Sequence, residues 1–214
     1  SIFNAYRFEY VFHYAALVGV KRTLENPVMV LNDITGIKNV LNLSKNTGVK
    51  RVFFSSSSEV YGEPVEFPQN EHTTPLNSRL PYAIVKNVGE AYLRSYKQEY
   101  DLDFTIFRFF NTYGPQQSND FVMSKFITAA LSNNDITIYG DGSQTRSFCY
   151  VSDLVEGVYR LLQLDKNPDT PINLGNPNEF TILELAKVVI DITDSKSEIV
   201  NNPLPQDDPK QRCP

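Results

Sequence analysis

The sequence predicts an α/β protein: a doubly wound parallel sheet followed by a smaller mixed α/β C-terminal lobe. Three observations carry this expectation. Strand, helix and strand succeed one another within about 45 residues, the length of a βαβ unit. A second helix and strand then repeat the alternation. Beyond Asn111 the texture changes to loops and short elements.

Taken in order, Glu9 to Ala16 is an aromatic and β-branched run that stops at small residues, as a buried strand does. After Asn26-Pro27, the apolar residues Val30, Ile34, Ile37 and Leu41 recur at helical spacing, and Gly48 stands where a helix terminates, which predicts one helix over 27–47. Arg51 to Phe54 is a second strand, ending in the run Ser55 to Ser58. Tyr82 to Tyr100 reads as a long helix and Phe104 to Phe109 as the next strand. Later, Gly114-Pro115 and Gly140-Asp141-Gly142 mark loops. Short strands are predicted near 136–139 and 172–174, and helices near 121–132, 152–163 and 181–193. The domain expectation is a partial first domain over 1–112, with 140–160 returning to it, and a second lobe over 113–214 that is incomplete at its C-terminal end.

With 41% hydrophobic and 21% charged residues, the chain has the composition of a globular domain. Twenty basic against 25 acidic side chains give a net charge of −5, which excludes a broad phosphate-binding face and so nucleic acid as a partner. Two cysteines, Cys149 and Cys213, and two histidines, His13 and His72, are too few for a disulfide framework or a structural metal site; a reducing, cytoplasmic setting and no metal are expected. No apolar run approaches the ~20 residues of a membrane-spanning helix. The sequence also has no G-x-G-x-x-G turn, with which a nucleotide-binding sheet of this class opens. Ser1 to Phe8 run almost directly into a strand, and Asp207 to Pro214 stop without a closing element, so a segment of a longer protein is expected.

Tyr82 and Lys86 lie four apart on a helix and therefore share a face. An ammonium beside a phenol favours the phenolate and would lower the tyrosine pKa from ~10 toward a working pH. Such pairs arise readily by chance, and an ordinary surface pair is the alternative. The context is the serine run, at the carboxyl end of a parallel strand where open α/β sheets place ligands. A hydroxyl there could hold a substrate hydroxyl within reach of Tyr82, although serines at strand ends are also common turn formers. Glu59 is either a surface charge or a carboxylate of the site, and His13 either a satisfied strand residue or a ligand.

The ordered set His13-Tyr14-Ala15-Ala16, SSSSEVYG (55–62), Tyr82-x-x-x-Lys86, RFFNTYGP (108–115) and GDGSQTRSFCYVSD (140–153) resembles the extended short-chain dehydrogenase/reductase superfamily of nucleotide-sugar epimerases, dehydratases and decarboxylases. The resemblance runs through essentially the whole chain. It implies a Rossmann-like NAD-binding domain, a doubly wound parallel sheet lacking its first βαβ unit with the glycine-rich turn, and a smaller mixed α/β nucleotide-sugar lobe lacking a short piece after Pro214. It implies that Tyr82 removes the sugar 4-hydroxyl proton while NAD takes the hydride, that Lys86 lowers the tyrosine pKa and bonds the nicotinamide ribose, and that Ser57 holds the 4-oxygen. His13, Ala15, Ala16, Ser55 and Phe109 would line the cofactor, and Asn111 and Arg146 would contact the nucleotide diphosphate, a task that suits a guanidinium fork.

Within the superfamily, dehydratases carry an aspartate where this chain has Ser58, whereas Ser57-Ser58-Glu59 resembles the strand end of UDP-glucuronate decarboxylases. GSQTR, YVSDLV, NLGNP and PLPQDDPKQR resemble the same branch, in which Arg212 would meet the sugar carboxylate or diphosphate. Tyr82-Ala83-Ile84-Val85-Lys86, the segment His13 to Pro27 and Gln116 after Gly114-Pro115 are closer to the epimerases or depart from the pattern. The expected function is NAD-dependent modification of a UDP-sugar through a 4-keto intermediate, with decarboxylation first and 4-epimerisation second. A non-catalytic relative is the third reading, and without the glycine-rich turn the segment should bind NAD poorly. The resemblance also implies a homodimer through helices 27–47 and 82–100.

Overall fold

The structure is a computed structural model that describes residues 1–63, 65–203 and 211–212. Its elements run α1 (Ile2–Tyr6), β1 (Tyr10–His13), α2 (Val20–Glu25), α3 (Pro27–Leu31), α4 (Asp33–Thr47), β2 (Arg51–Ser57), a 3₁₀ turn (Ser58–Tyr61), α5 (Pro81–Tyr100) and β3 (Asp103–Phe109). Then come β4 (Thr112–Tyr113), α6 (Val122–Leu131), β5 (Ile136–Tyr139), β6 (Thr145–Ser147), β7 (Cys149–Tyr150), α7 (Val151–Leu162), β8 (Ile172–Leu174), β9 (Glu179–Thr181), α8 (Ile182–Thr193), β10 (Ile199–Asn202) and β11 (Gln211–Arg212).

The chain forms two units. The first comprises Ser1–Phe109 and Glu156–Leu174, the second Phe110–Val155 and Gly175–Pro214. The segment that returns to the first unit is thus 156–174, where the sequence suggested 140–160. The difference comes from Ile172–Leu174, which pairs with Phe107–Phe109 as the fourth strand of the first sheet instead of serving the second lobe.

In the first unit the sheet order is β1-β2-β3-β8, with every pair parallel. Strand periodicity sorts the side chains. Val52, Phe54, Phe104 and Ile106 face the helices and bury with Val30, Ile37, Leu41, Val85 and Leu93. On the other face Phe12 stacks on Phe53 at 4.5 Å, and Phe53 on Phe107 at 6.0 Å. β1 is the outer strand, and its Tyr10 and Phe12 remain 41% and 46% exposed.

Several boundaries differ from the sequence reading. The single helix expected over 27–47 is two, because the Asn32 amide bonds back three residues to Met29 and separates α3 from α4. Gly48 does cap α4, with φ +77° in the left-handed region that glycine enters without penalty. β2 runs on through Ser57, since Ser55, Ser56 and Ser57 pair with Phe107, Arg108 and Phe109. Before β1 the chain forms α1, which the sequence reading passed over. Gly89 lets α5 lie close on β2: a Cβ there would overlap the ring of Phe54.

In the second unit β10 pairs with β5 in parallel, β6 lies between β11 and β9, and β4 pairs with β7. Phe126, Ala130, Ile136, Ile138, Phe148, Ile182, Leu185, Ala186 and Val189 make its core. Helix α8 opens with a capping box: the Glu184 amide donates to Thr181 Oγ1 at 3.0 Å, and the Thr181 amide donates to the Glu184 carboxylate at 2.8 Å. Replacing Thr181 by Ala removes the side-chain half of this box. We expect a loss of about 1 kcal/mol in urea unfolding, and an unchanged midpoint would show that the cap adds nothing to the unit.

Candidate active site

The polar residues of the first unit meet where β2 ends. Tyr82, Lys86 and Glu90, at successive four-residue steps on α5, share one helix face and each engages the serine run of β2. The Lys86 ammonium donates to the Ser55 carbonyl oxygen at 2.6 Å and lies 3.4 Å from Ser55 Oγ. Ser56 Oγ donates to Glu90 Oε1 at 2.6 Å. Ser57 forms a side-chain hydrogen bond with Tyr82 that favours the phenolate.

Ser57 also caps the 3₁₀ turn, its Oγ accepting from the Glu59 amide at 3.2 Å. With a lone pair so occupied, its hydroxyl proton is directed at Tyr82, and an oxygen placed between the two would take that proton in place of the phenol. Ser58 is buried as the turn's first residue, and Glu59, half-buried, contributes negative charge to Tyr82. His13, at the end of β1, stacks on Phe54 at 5.8 Å. Burial first, then the Lys86 charge, lower its pKa against the opposing pull of Asp33, so the ring is neutral at physiological pH. Ala15 and Ala16 lie in the loop that leaves β1, and Phe109 ends β3 edge-on to Tyr14 at 5.8 Å.

One expectation is corrected. The Tyr82 pKa stands above that of an ordinary phenol, and the Lys86 ammonium does not offset the rise. That ammonium points to the Ser55 carbonyl and sits 5.6 Å from the Tyr82 ring centroid, without a hydrogen bond to the phenol oxygen. Burial pushes Tyr82 up to about 12, the Ser57 hydrogen bond opposing and the charges of Glu59 and Asp33 adding to the rise. Burial likewise lowers Lys86 to about 8, opposed by Asp33.

Sequence reasoning missed Asp33 and the buried set Glu90, Arg108 and Tyr61. Asp33 opens α4, accepts from the Leu17 amide at 2.8 Å, and bears electrostatically on His13, Lys86 and Tyr82. The four-residue step from Lys86 to Glu90 was the available signal for the second group.

In the second unit, Asn111 has φ +27°, and its side-chain amide donates to the Ser147 carbonyl at 2.9 Å. Arg146 is buried on β6, with Nη1 donating to the Thr145 carbonyl at 2.8 Å. The backbone of Arg212 on β11 is in register with Arg146.

The residues present fit the nicotinamide-ribose end of NAD. They offer a buried ammonium, two hydroxyls and a phenol at the carboxyl ends of parallel strands, where open α/β sheets bind dinucleotides. For the pyrophosphate end the sequence holds no glycine-rich turn.

Two titrations test these electrostatics. The unfolded chain keeps the Lys86 proton to its ordinary 10.5, whereas the folded chain releases it above about 8. Stability therefore rises with pH between these values, by on the order of 2 kcal/mol from pH 8 to 10. Urea midpoints should show that rise in the wild type and not in Lys86→Met; equal slopes would remove Lys86 as its source. In ultraviolet phenolate titration, Tyr82→Phe should leave the curve below pH 11 unchanged, and loss of a transition near pH 10 would refute the raised pKa.

Comparison with known proteins gives these groups a context. The model of the NAD dependent epimerase/dehydratase family matches residues 1–175. A UDP-glucuronic acid decarboxylase 1 from Danio rerio is 39% identical over 211 residues, covering 95% of this chain and 50% of that protein. A UDP-glucuronic acid decarboxylase 6 from Arabidopsis thaliana is 41% identical over 196 residues, covering 88% and 56%. The chain spans about half the length of these relatives. Among solved structures, the UDP-glucose 4-epimerase of Thermotoga maritima with UDP-glucose superposes with a TM-score of 0.93 at 32% identity, over 99% of this chain and 70% of that one. The UDP-glucuronic acid 4-epimerase of Bacillus cereus, in complex with UDP-glucuronic acid and NAD, gives 0.87 at 26% identity, over 96% and 66%. A parallel sheet of this order, a Tyr-x-x-x-Lys helix docked on its serine strand end, and a family match over most of the sequence lead to one statement: the chain belongs to the NAD-dependent epimerase/dehydratase family.

Proposed function

We propose that the protein carrying this chain is an NAD-dependent enzyme that oxidises a UDP-sugar at carbon 4 and, from UDP-glucuronate, releases carbon dioxide. The observation that carries the reading is the meeting of Tyr82, Ser57 and Lys86 at the end of β2, with Glu59 two residues beyond Ser57. Tyr82 accepts the 4-hydroxyl proton, and Ser57 donates its own proton to the same sugar oxygen. NAD, when bound, accepts the carbon-4 hydride, later returns it, and carries positive charge on its oxidised ring.

A phenol at about 12 is a poor base at neutral pH, so turnover requires more cationic charge near it than the Lys86 ammonium, 5.6 Å from the ring centroid, supplies in this structure, and the oxidised nicotinamide would add that charge. The resulting 4-ketone is β to the carboxylate and draws in the electrons of the breaking carbon-carbon bond. Carbon dioxide leaves, the enolate takes a proton from solvent at carbon 5, and Tyr82 returns its proton to the 4-oxygen as the carbon-4 alcohol of a UDP-pentose is restored. Asn111, Arg146 and Arg212 serve the diphosphate and the sugar carboxylate in this reading. It is supported by decarboxylase relatives near 40% identity.

Epimerisation at carbon 4 is the second reading. It is favoured by Tyr82-Ala83-Ile84-Val85-Lys86 and by the epimerase structures that superpose on the chain. With either reading we propose a homodimer through helices 27–47 and 82–100, here α3, α4 and α5, whose Val28, Met29 and Ile84 are exposed, and a cytoplasmic setting.

The full-length protein carrying this chain, incubated with NAD and UDP-glucuronate, should give a product lighter by one carbon dioxide in mass spectrometry. An unchanged mass with a new chromatographic position would establish epimerisation, and no conversion would remove both. Tyr82→Phe should lower kcat by at least about 10²-fold with the fold retained; near-normal turnover would take Tyr82 out of the mechanism.

A further inference from the structure

The first unit holds a buried ionic cluster that the proton-transfer residues do not use directly. Glu90 is fully buried and Arg108 is 2% exposed. They pair through both oxygens: Arg108 Nε donates to Oε1 at 3.0 Å, and Nη2 donates to Oε2 at 2.8 Å. The remaining guanidinium nitrogen, Nη1, donates to the Tyr61 hydroxyl at 2.9 Å, which in turn donates to Asn173 Oδ1 at 2.7 Å. Ser56 Oγ completes the set on Glu90 Oε1. Arg94 reaches Glu90 Oε2 from the surface at 3.4 Å.

The placement is specific. Ser56 and Tyr61 are the two residues the pair holds, and between them lie Ser57, Ser58, Glu59 and Val60, the turn that carries the proposed chemistry. Glu90 stands two helical turns from Tyr82 on the same face of α5. Fixing Glu90 to Ser56 therefore fixes the sliding of α5 along β2, and with it the reach from the Tyr82 phenol to the Ser57 hydroxyl. Apolar residues would fill the same volume at similar or better stability, because taking both charges out of water is costly. What they lack is direction, since an apolar contact tolerates a shift of an ångström and a bidentate pair does not.

We propose that Glu90 and Arg108 are positioning residues, a buried lock that sets the Tyr82–Ser57 geometry by holding both ends of the serine turn. The proposal rests on the reading that Tyr82 and Ser57 move the 4-hydroxyl proton. Its test is the paired replacement Glu90→Leu with Arg108→Met in the full-length protein, compared with Ser56→Ala, which cuts only the strand's tie, and with Tyr82→Phe.

The paired variant should keep its melting temperature within a few degrees and its KM for the nucleotide sugar within about twofold, while kcat falls about 10²-fold, as expected for a misplacement near 1 Å. The pH at which kcat reaches half its plateau should also move upward, because a weakened Ser57 hydrogen bond no longer favours the phenolate. Ser56→Ala should show the same split, several-fold in kcat, and decides the matter if the paired variant does not fold. A folded paired variant, or failing that a folded Ser56→Ala, with wild-type kcat and pH profile overturns the lock. If Tyr82→Phe is inactive in that case, the functional reading stands without it. If Tyr82→Phe turns over normally, the functional reading falls and the lock falls with it.

Discussion

The first unit is organised around one buried carboxylate. Glu90 sits beneath the sheet's carboxyl end with no access to water, and an isolated charge there would cost several kcal/mol. Its oxygens are satisfied from β2 through Ser56 and from β3 through Arg108, and Arg108 passes the connection to the turn after β2 through Tyr61 and on to β8 through Asn173. Asn173 extends it into the loop before α5, donating to the Gln69 carbonyl and accommodating Glu71 at its amide, both at 2.7 Å. Every element that frames the serine turn is thus tied to a common charge pair. For Arg108 burial pulls the guanidinium pKa down, but the hydrogen bonds and charge of Glu90 outweigh it and hold the pKa above its ordinary value.

Around this anchor the same physical cause acts on two neighbours in opposite directions. Burial disfavours whichever form is charged, so it raises Tyr82 and lowers Lys86. Their values, about 12 and about 8, leave a phenol that resists giving up its proton beside an ammonium that gives it up readily. Asp33 favours the cationic form of Lys86 and disfavours the anionic form of Tyr82. Charge brought to this corner by a ligand would therefore be felt strongly, since little water screens it.

Much of this was legible in the sequence where a pattern is local. Helical spacing foretold α5, α6, α7 and α8 to within a residue or two. Tyr82 and Lys86 stood out because their spacing and the serine run point to a strand end. What was not legible depends on partners distant in sequence. Arg108 looks like an ordinary strand residue until the register sets it opposite Ser56, and Glu90 looks like a helix-surface charge until α5 docks against β2. The assignment of Ile172–Leu174 to the first sheet failed for the same reason, since three residues carry no sign of which strand they will join. The direction of the Lys86 ammonium, too, is set by a backbone carbonyl that no side-chain pattern reveals.

The outer position of β1 has a consequence for how the polypeptide behaves in solution. Among the described residues, β1 is paired through β2 alone, so one row of its amides and carbonyls faces outward beside the exposed rings of Tyr10 and Phe12. Such a rim is a template for adding another strand, and natural sheets blunt it with charge, proline or a covering element. Here it is aromatic and uncharged from Tyr10 to His13 when the imidazole is neutral. An aromatic, uncharged edge of this kind favours pairing with another extended strand, and a charged residue in place of Tyr10 or Phe12 would blunt it.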